Sequence, residues 1–231
     1  MGKYSAFLAD NSKLSITASH FTSTWDASGQ IPQRAVDAGL ISRFGAIDDT
    51  EGRTTQRTNI NIEFNKYIDE TTLLKTNAYY SNYQFELYSN FTFFLEDPVN
   101  GDQIRQKETR DIFGLNTEVK KTMSPNTDFK AGVGFRNDMV EDVELSRSLN
   151  RQTTLESIQL GDVNETNFYA YADAEFTFGK FTINPALRLD YFKYNYVDKL
   201  AEAYETQSQD KAFVSPKLNV TYSPNTDFQL Y

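Results

Sequence analysis

Few residues in this 231-residue chain could carry out chemistry. His20 is the one histidine and cysteine is absent, so disulfides and thiolate metal sites are excluded and a zinc enzyme is disfavoured. His20 has no serine or aspartate partner at the spacing of a catalytic triad, and its position in an alternating segment favours a structural role. The sequence therefore predicts no enzyme, with no catalytic residue and no cofactor.

Two acidic stretches contain oxygen ligands that a cation could use. Asp48, Asp49 and Glu51 precede a glycine, and the segment DPVNGD at 97–102 resembles an oxygen-rich cation loop. The spacing departs from that of an EF-hand, and Asn-Gly after a proline is also ordinary turn chemistry. A calcium loop and a plain turn both remain open at 97–102, with the turn preferred, so no metal ligand is assigned.

The composition limits the possible partners. A net charge of −9 argues against nucleic acid. Hydrophobic residues make up 39% of the chain, and no run approaches the ~18 apolar residues of a transmembrane helix. The aromatic content of 14% favours strands, and a membrane β-barrel stays compatible because only alternate strand residues face lipid.

The clearest element is a hairpin between Thr166 and Tyr191, with apolar residues at every second position on both sides of Gly179-Lys180. A two-residue turn places residue i opposite i+3, so Phe178 is predicted to face Phe181. The further apolar pairs predicted are Phe176 with Ile183, Ala174 with Pro185, Ala172 with Leu187, Ala170 with Leu189 and Phe168 with Tyr191. On the other face the predicted pairs are Glu175 with Asn184 and Tyr171 with Arg188, with Asp173 diagonal to Arg188.

The alternation recurs along the chain. It is clear at 59–65, 129–136 and 214–222, whereas 72–94 is strand-like with aromatic residues on both faces, so its parity stays open. Short turns are predicted at 10–12, 69–70, 124–127, 179–180 and 223–227, and long polar connections at roughly 26–56, 96–109, 140–165 and 197–211. The hexapeptide SPNTDF, at 124–129 and 223–228, predicts the same turn in two hairpins. Alternating short and long connections are typical of outer-membrane barrels, so we predict about ten antiparallel transmembrane strands.

Charged and aromatic residues add further expectations. The charged residues on the face opposite the apolar one are Lys130, Arg136, Asp173, Glu175, Arg188 and Asp190. They either belong to a transport pathway or form ion pairs along a barrel wall or with a plug. The acidic residues expected in long loops are Asp138, Glu141, Asp142, Glu144, Glu156 and Asp162. They either admit cationic ligands or only keep the loops soluble. The aromatic residues expected at membrane interfaces are Phe176, Phe178, Phe181, Phe91, Phe93 and Phe94.

Three stretches, in consistent order, resemble the barrel portion of TonB-dependent receptors, especially the ferric-siderophore branch. They are GQIPQRAVDAGLISRFGAID, YSNFTFFLEDPVNGDQI and SPKLNVTYSPNTDFQLY. The resemblance implies a 22-stranded barrel plugged by an N-terminal domain, energised through TonB and loaded from outside. Residues 1–231 are then expected to be one partial barrel domain without plug, signal peptide or terminal strands, and its ligand-binding residues stay unknown.

The expected function is part of a multi-pass receptor in the outer membrane of a Gram-negative bacterium. Its expected partners are outer-membrane lipid, an extracellular ferric siderophore, and the TonB complex through an N-terminal part outside this chain. Cobalamin or an oligosaccharide are alternative cargoes. A ten-stranded outer-membrane barrel enzyme resembling a protease and a soluble β-sandwich binding domain are the alternative classes.

Overall fold

The computed structural model describes residues 1–8 and 11–231, which form a single antiparallel sheet in which each strand pairs with the next in sequence. The strands are β1 (Gly2–Leu8), β2 (Ser12–Asp26), β3 (Gly52–Tyr67), β4 (Thr72–Ser89), β5 (Ile104–Ser124), β6 (Thr127–Leu149), β7 (Thr153–Phe178), β8 (Phe181–Asp198), β9 (Thr206–Asn225) and β10 (Phe228–Leu230). A short helix, α1 (Gln33–Asp37), lies between β2 and β3. In the part of the chain that the structure describes, no helix is long and apolar enough to cross a membrane.

The all-β, ten-stranded antiparallel prediction is confirmed. One sheet also contradicts the β-sandwich alternative, because a sandwich buries its apolar residues between two facing sheets. The predicted hairpin register is confirmed as well, from Phe178 opposite Phe181 to Phe168 opposite Tyr191. The register keeps the same offset on either side of Ala174 and Glu175, but the ladder is interrupted at these two residues, where Asn184 Nδ2 donates a hydrogen bond to the Ala174 carbonyl at 2.8 Å.

One face of the sheet, named here the band face, carries a continuous apolar band. Directly paired residues share a face, and the register places Val133, Ala170, Leu189 and Val214 side by side on β6 to β9. On β8 the band runs from Phe181 to Tyr191. These ten steps of ~3.3 Å span roughly 25 Å across a bilayer for a strand tilted by about 40°. That height matches the apolar band of outer-membrane barrels.

Aromatic residues border the band on both sides. At the short-turn end, Phe181 packs on Tyr222 with ring centroids 4.8 Å apart, and Phe176 stacks on Phe178. At the long-loop end, the packed pairs are Tyr80 with Phe113 and Phe135 with Phe168, each with centroids 4.9 Å apart. The interfacial position expected for Phe176, Phe178 and Phe181 therefore agrees with the sheet, whereas Phe91, Phe93 and Phe94 follow the end of β4 and lie in a loop.

The band is exposed. In the described residues, the buried hydrophobic side chains are Ala35, Tyr88 and Val140, while Phe178, Leu218 and Val214 are more than 60% exposed. A soluble protein does not leave so wide an apolar surface to water, so this face requires an apolar surrounding outside the sheet.

The connections alternate between two ends of the sheet, but three of the four long ones are shorter than predicted, and the one predicted at 96–109 lies at 90–103. The short-turn end has connections at 68–71, 125–126, 179–180 and 226–227; the turn predicted at 10–12 lies partly outside the described residues. The long-loop end has connections at 27–51, 90–103, 150–152 and 199–205. The long loop predicted at 140–165 is wrong, because β6 and β7 continue as strands to a tight turn. Register shifts after Val140, Leu145 and Arg147 interrupt the β6–β7 ladder, so the period of two that signals a strand is broken there.

Strand pairing decides two further questions, the parity of β4 and the turns formed by the two SPNTDF copies. In β4 the even-numbered residues share the band face, since Tyr80 pairs with Ile60 and Phe113. The two copies of SPNTDF do not form the same turn, because Ser124 pairs with Thr127 whereas Asn225 pairs with Phe228. The first copy lies in the long β5–β6 ladder, whereas the second adjoins β10, which has only two paired positions. The position of the turn is therefore set by the neighbouring strands and not by the hexapeptide itself.

Candidate functional site

The face opposite the band, named the polar face, carries most of the charged residues singled out in the sequence, and nearly all of them are paired. Lys130 Nζ lies 3.0 Å from Asp173, and Arg136 Nε lies 2.6 Å from Asp138. Arg188 pairs with Asp190 at 2.8 Å. Five of the six predicted residues thus form ion pairs along the wall, as in the second interpretation of the sequence, and Glu175 makes no such pair with any residue that the structure describes. Asp173 does not bridge to Arg188 as expected.

Arg188 turns away from Asp173 because two other groups hold it. Its guanidinium lies 4.0 Å from the ring centroid of Tyr169, and both Nε and Nη2 donate to Asp190 at 2.8 Å. Asn167 donates to the same carboxylate at 3.3 Å. Stacking on the tyrosine face and the two hydrogen bonds fix the guanidinium in one orientation.

Tyrosines that lie across glycines organise the polar face. Tyr169 and Tyr171 on β7 pair with Gly134 and Gly132 on β6. Since glycine has no side chain, each ring crosses β6 and reaches β5, where Tyr169 Oη donates to Asn116 at 3.2 Å and Tyr171 Oη to Glu118 at 2.8 Å. A β-carbon at Gly134 would lie 2.1 Å from the Tyr169 ring. The glycines are therefore required by close packing.

Nearer the long-loop end, three neighbouring strands present the arginine–tyrosine patch of Arg57, Tyr83 and Arg110, which are directly paired on the polar face. Arg57 is exposed, and among the described residues its side chain donates hydrogen bonds only to the neutral side chains of Asn59, at 3.1 Å, and Ser81, at 3.3 Å. Arg110 Nη2 bonds to Glu108 at 3.1 Å, while its buried Nε has no partner among the described residues. Unlike the ion-paired residues nearer the short-turn end, this patch retains free hydrogen-bond donors.

The sequence alone did not identify the patch. Tyr83 lies in the segment 72–94, whose parity was open, and Arg57 precedes the stretch where the alternation becomes clear. Tyr83 also stacks on Phe85 on the same face, with ring centroids 6.2 Å apart. Such an aromatic pair on a polar face conceals the period of two on which the prediction relied.

At the long-loop end, Arg151 joins several connections. The residue lies in the β6–β7 turn with φ of 58°, and its Nη2 donates to Asp26 at 2.9 Å and to the Glu51 carbonyl. Its Nε donates to the Thr50 carbonyl, and its backbone N–H donates to Gln103 Oε1 at 3.0 Å. One guanidinium thus ties the end of β2 and the 27–51 connection to the β6–β7 turn.

The 90–103 connection is built around Asp102, which is 7% exposed. Its carboxylate accepts hydrogen bonds from the backbone N–H groups of Leu95, Glu96 and Asp97 at 2.8–3.0 Å. Burial opposes ionisation, but these bonds and one from the Thr92 hydroxyl outweigh it and lower the pKa of Asp102 to about 2.

Asp97 behaves similarly, since backbone N–H groups of Asn100 and Val99 and the Asn100 side chain lower its pKa. Both carboxylates in 97–102 therefore point at N–H donors, which favours the turn interpretation over a calcium loop. Among the described residues, no group of three or more acidic or histidine side chains is arranged to hold a metal ion.

The other acidic stretch links two connections. Burial raises the pKa of Asp48, but hydrogen bonds from Thr50, Asn90 and Gln103 reverse this and lower it overall. Asn90 Nδ2 reaches Asp48 at 2.9 Å across the gap between the 27–51 and 90–103 connections. Glu51 is 3% exposed, and burial raises the pKa of its carboxyl, reinforced by the charge of Asp48 and opposed by the Asn90 backbone N–H. A cleft of about 280 Å³ lies between these connections and the β6–β7 turn.

The remaining candidates have structural contacts. His20 Nδ1 lies 2.9 Å from Thr58 Oγ1 on the band face, beyond the aromatic border. The acidic residues expected in long loops all lie on β6 or β7 instead. Several are paired: Glu144 with Arg105 at 3.2 Å, and Asp142 and Asp162 with Lys199 at 2.8 and 2.7 Å.

Solved structures share this architecture. The chain superposes on the unliganded ferric citrate transporter FecA with a TM-score of 0.75 at 12% identity, covering 93% of this chain and 32% of FecA. The ferric yersiniabactin uptake receptor FyuA from Yersinia pestis gives a TM-score of 0.71 at 9% identity, covering 96% of this chain and 34% of FyuA. The FrpB iron transporter from Neisseria meningitidis gives 0.63 at 16% identity, covering 97% and 34%.

At these identities the likeness shows a shared fold, and the chain spans about a third of the length of these three structures. No curated protein sequence matches the chain. The family described as TonB dependent receptor-like, beta-barrel matches residues 4–231. The chain therefore belongs to the TonB-dependent receptor-like β-barrel family.

Proposed function

We propose that the chain forms part of the wall of an outer-membrane receptor that imports a scarce nutrient in a Gram-negative bacterium. The observation that carries this proposal is the two-faced sheet. An apolar band bordered by aromatic residues suits lipid on one face, and a wall of ion pairs suits a water-filled or plugged interior on the other. In this proposal the energy comes from TonB, through a part of the receptor outside residues 1–231.

A ferric siderophore is the cargo we propose, with cobalamin and an oligosaccharide as alternatives. The support is the arginine–tyrosine patch, because the exposed Arg57 keeps donors for an anionic iron complex and Tyr83 supplies an aromatic surface. FecA, FyuA and FrpB, which share the fold, are named as a ferric citrate transporter, a ferric yersiniabactin receptor and an iron transporter.

Deletion of the gene in its native host tests the function. Growth under iron limitation should slow, and uptake of radioactive iron presented as ferric siderophores should fall, while growth in iron-rich medium stays normal. Unchanged growth and unchanged iron uptake would count against the iron cargo, and a loss of cobalamin or oligosaccharide uptake instead would select that alternative.

Substitution of Arg57 tests the patch. Arg57→Gln removes a charge that has no acidic partner, so the fold should persist while ferric-siderophore binding weakens roughly ten- to hundredfold, the worth of one charge-assisted hydrogen bond. Lys193→Gln, which removes a cation from the band face, is the matched control and should bind normally. Equal binding by wild type and Arg57→Gln, with Lys193→Gln also normal, would remove the patch from the ligand path.

A further inference from the structure

The sheet is stepped at its long-loop end, and the step leaves part of β7 without a neighbour on one side. β7 begins at Thr153, whereas β8 ends opposite Gly161. The backbone N–H of Lys199 donates to the Leu160 carbonyl at 2.9 Å, and beyond it the chain enters the connection to β9. Among the described residues, no strand pairs with residues 153–159 on this side, which is named here the β7 edge. Because β8 lies beside the rest of β7, the edge does not depend on where the sheet begins or ends.

The β7 edge is exposed over its whole length, from Thr153 to Gln159. Its other side is paired with β6, where Ser146 and Ser148 are 0% and 2% exposed. Seven residues at ~3.3 Å each give roughly 20 Å of strand. In a strand, alternate residues direct their N–H and C=O groups to opposite sides, so about half of these groups point away from β6. Another extended backbone offers donors and acceptors at the matching spacing.

Two apolar side chains of the β7 edge lie outside the register with β6. Gln159 and Ser157 pair with successive residues of β6, so Ile158 between them is an extra residue, and a second shift leaves Leu155 extra. Such β-bulges leave the extra residue unpaired in the ladder. Leu155 is 39% exposed and Ile158 is 50% exposed. The edge therefore presents two apolar side chains next to its unpaired backbone groups.

The surroundings of the β7 edge are acidic. Arg147 lies opposite Glu156 but pairs with Asp102 at 3.5 Å and Glu96 at 3.9 Å, so Glu156 has no ion pair with any described residue. The adjoining connection 199–205 carries two exposed glutamates that have no ion pair with described residues either. Its one lysine pairs with two aspartates at 2.8 and 2.7 Å. Charge complementarity therefore favours a basic partner.

The height of the β7 edge in the proposed membrane position argues against lipid and against a second copy as the partner. Gln159 is nine residues from Phe168 at the aromatic border, about 30 Å along the strand and roughly 20 Å above that border for a tilt of about 40°. The headgroup layer extends only about 5–8 Å beyond the hydrocarbon core. Two copies in one membrane are related by rotation about the membrane normal. Their β7 edges would then cross at roughly 80°, twice the tilt, and could not pair along their length.

We propose that the β7 edge binds an extended, basic segment of an extracellular protein as an added strand. The inference rests on the proposed outer-membrane position but not on the nature of the cargo. In the complex, backbone hydrogen bonds along residues 153–159 supply most of the affinity. Leu155 and Ile158 contact apolar side chains of the partner, and Glu156 pairs with one of its lysines or arginines.

The test uses the receptor as its native gene encodes it, purified in detergent, and the end-capped peptide Lys-Thr-Val-Thr-Val-Thr-Val-Thr-Lys as the probe. Because main-chain hydrogen bonds give the affinity, a generic basic strand-forming peptide is sufficient. At saturation the peptide should slow hydrogen exchange within residues 153–159 about tenfold and leave β8 unchanged. The same peptide with N-methyl groups on two successive central amides, which block both of its edges, should bind at least about tenfold more weakly.

Charge reversal on the receptor tests the same contact from the other side. Glu156→Lys should weaken binding of the unmethylated peptide about tenfold, as expected from the loss of one charge-assisted contact. Glu70→Lys, in the exposed 68–71 turn at the other end of the sheet, is the matched control and should bind normally.

Equal binding of the two peptides, equal effects of the two variants, or unchanged exchange at 153–159 would each overturn the proposal. Absence of the protein from the outer-membrane fraction would instead refute the proposed function, whereas slowed exchange at 153–159 in the purified receptor would still support strand addition.

Discussion

The two faces of the sheet are specified by different physics, and β7 shows both. On the band face, Phe168, Ala170 and Ala172 need only be apolar, because an apolar surrounding makes no directional demand. On the polar face, Tyr169 and Tyr171 each need a particular glycine beside them and a particular acceptor two strands away. The band face therefore tolerates exchanges among apolar residues, whereas the polar face depends on individual partners.

The largest expected effect comes from a charge in the band. Ala172→Arg places a cation in the middle of the apolar band, where in the proposed membrane position it should cost about 2–4 kcal/mol of unfolding free energy. Ala186→Arg makes the same change on the polar face, opposite Asp173, and should cost far less. Urea unfolding of the native receptor in lipid vesicles measures both. Similar losses for the two variants would contradict the assignment of the faces.

A smaller effect is expected where a tyrosine crosses a glycine. Gly134→Val introduces a β-carbon into the space of the Tyr169 ring and should destabilise the protein by about 1–3 kcal/mol, as overpacking does. It should also break the bond from Tyr169 to Asn116. Gly2→Ala serves as the control, since nothing lies within 4 Å of its added carbon. Normal stability of Gly134→Val in the same urea assay would show that the ring is not held there.

At the long-loop end, single side chains join separate connections, and the difference between the two faces matters less. Arg151→Ala removes the guanidinium that joins Asp26, Thr50 and Glu51, so the backbone amides of residues 27–51 should exchange faster while the strands stay protected. Arg43→Ala, at an exposed position in the same connection, is the control. Peptide-resolved hydrogen exchange on the native receptor reports the difference, and equal protection of 27–51 in both variants would rule out the linking role.

The smallest expected effect is a pH dependence of the 90–103 connection. The folded pKa of Asp102 is about 2 against an ordinary value of 3.8, so its stabilising effect is complete above pH ~4 and is lost as the pH falls through about 2. Hydrogen exchange of Leu95, Glu96 and Asp97 should therefore accelerate over that window beyond its intrinsic change. In Asp102→Asn the acceleration should be absent, and its persistence there would assign the effect to another group.

The hairpin of β7 and β8 could be predicted because its register is local. A two-residue turn and an unbroken alternation over Phe168–Tyr191 leave one arrangement with every apolar pair on one face. The parity of β4 could not be predicted in this way. Tyr79, Tyr83 and Phe85 lie on the polar face and Tyr80 on the band face, because a tyrosine suits either environment and only its neighbour across the strand decides.

The candidate site was less predictable than the sheet. The charges at Lys130, Arg136 and Arg188 were visible in the sequence, yet their pairing partners depend on ring stacking and on which carboxylate lies nearest. The free donors of Arg57 and Arg110 became apparent only when β3, β4 and β5 were aligned. The outer parts of β6 and β7 were predicted to be a loop because register shifts between these strands break the period of two in the sequence.

The sequence by itself determined the architecture of this protein: antiparallel strands, an apolar face and short turns at one end of the sheet. These features follow from the period of two along each strand and from turn chemistry, both of which act over a few residues. Only the tertiary structure decided which charges are neutralised, which donors stay free and how Arg151 joins the connections. Those properties depend on distances between residues far apart in the chain, as in the 125 positions from Asp26 to Arg151.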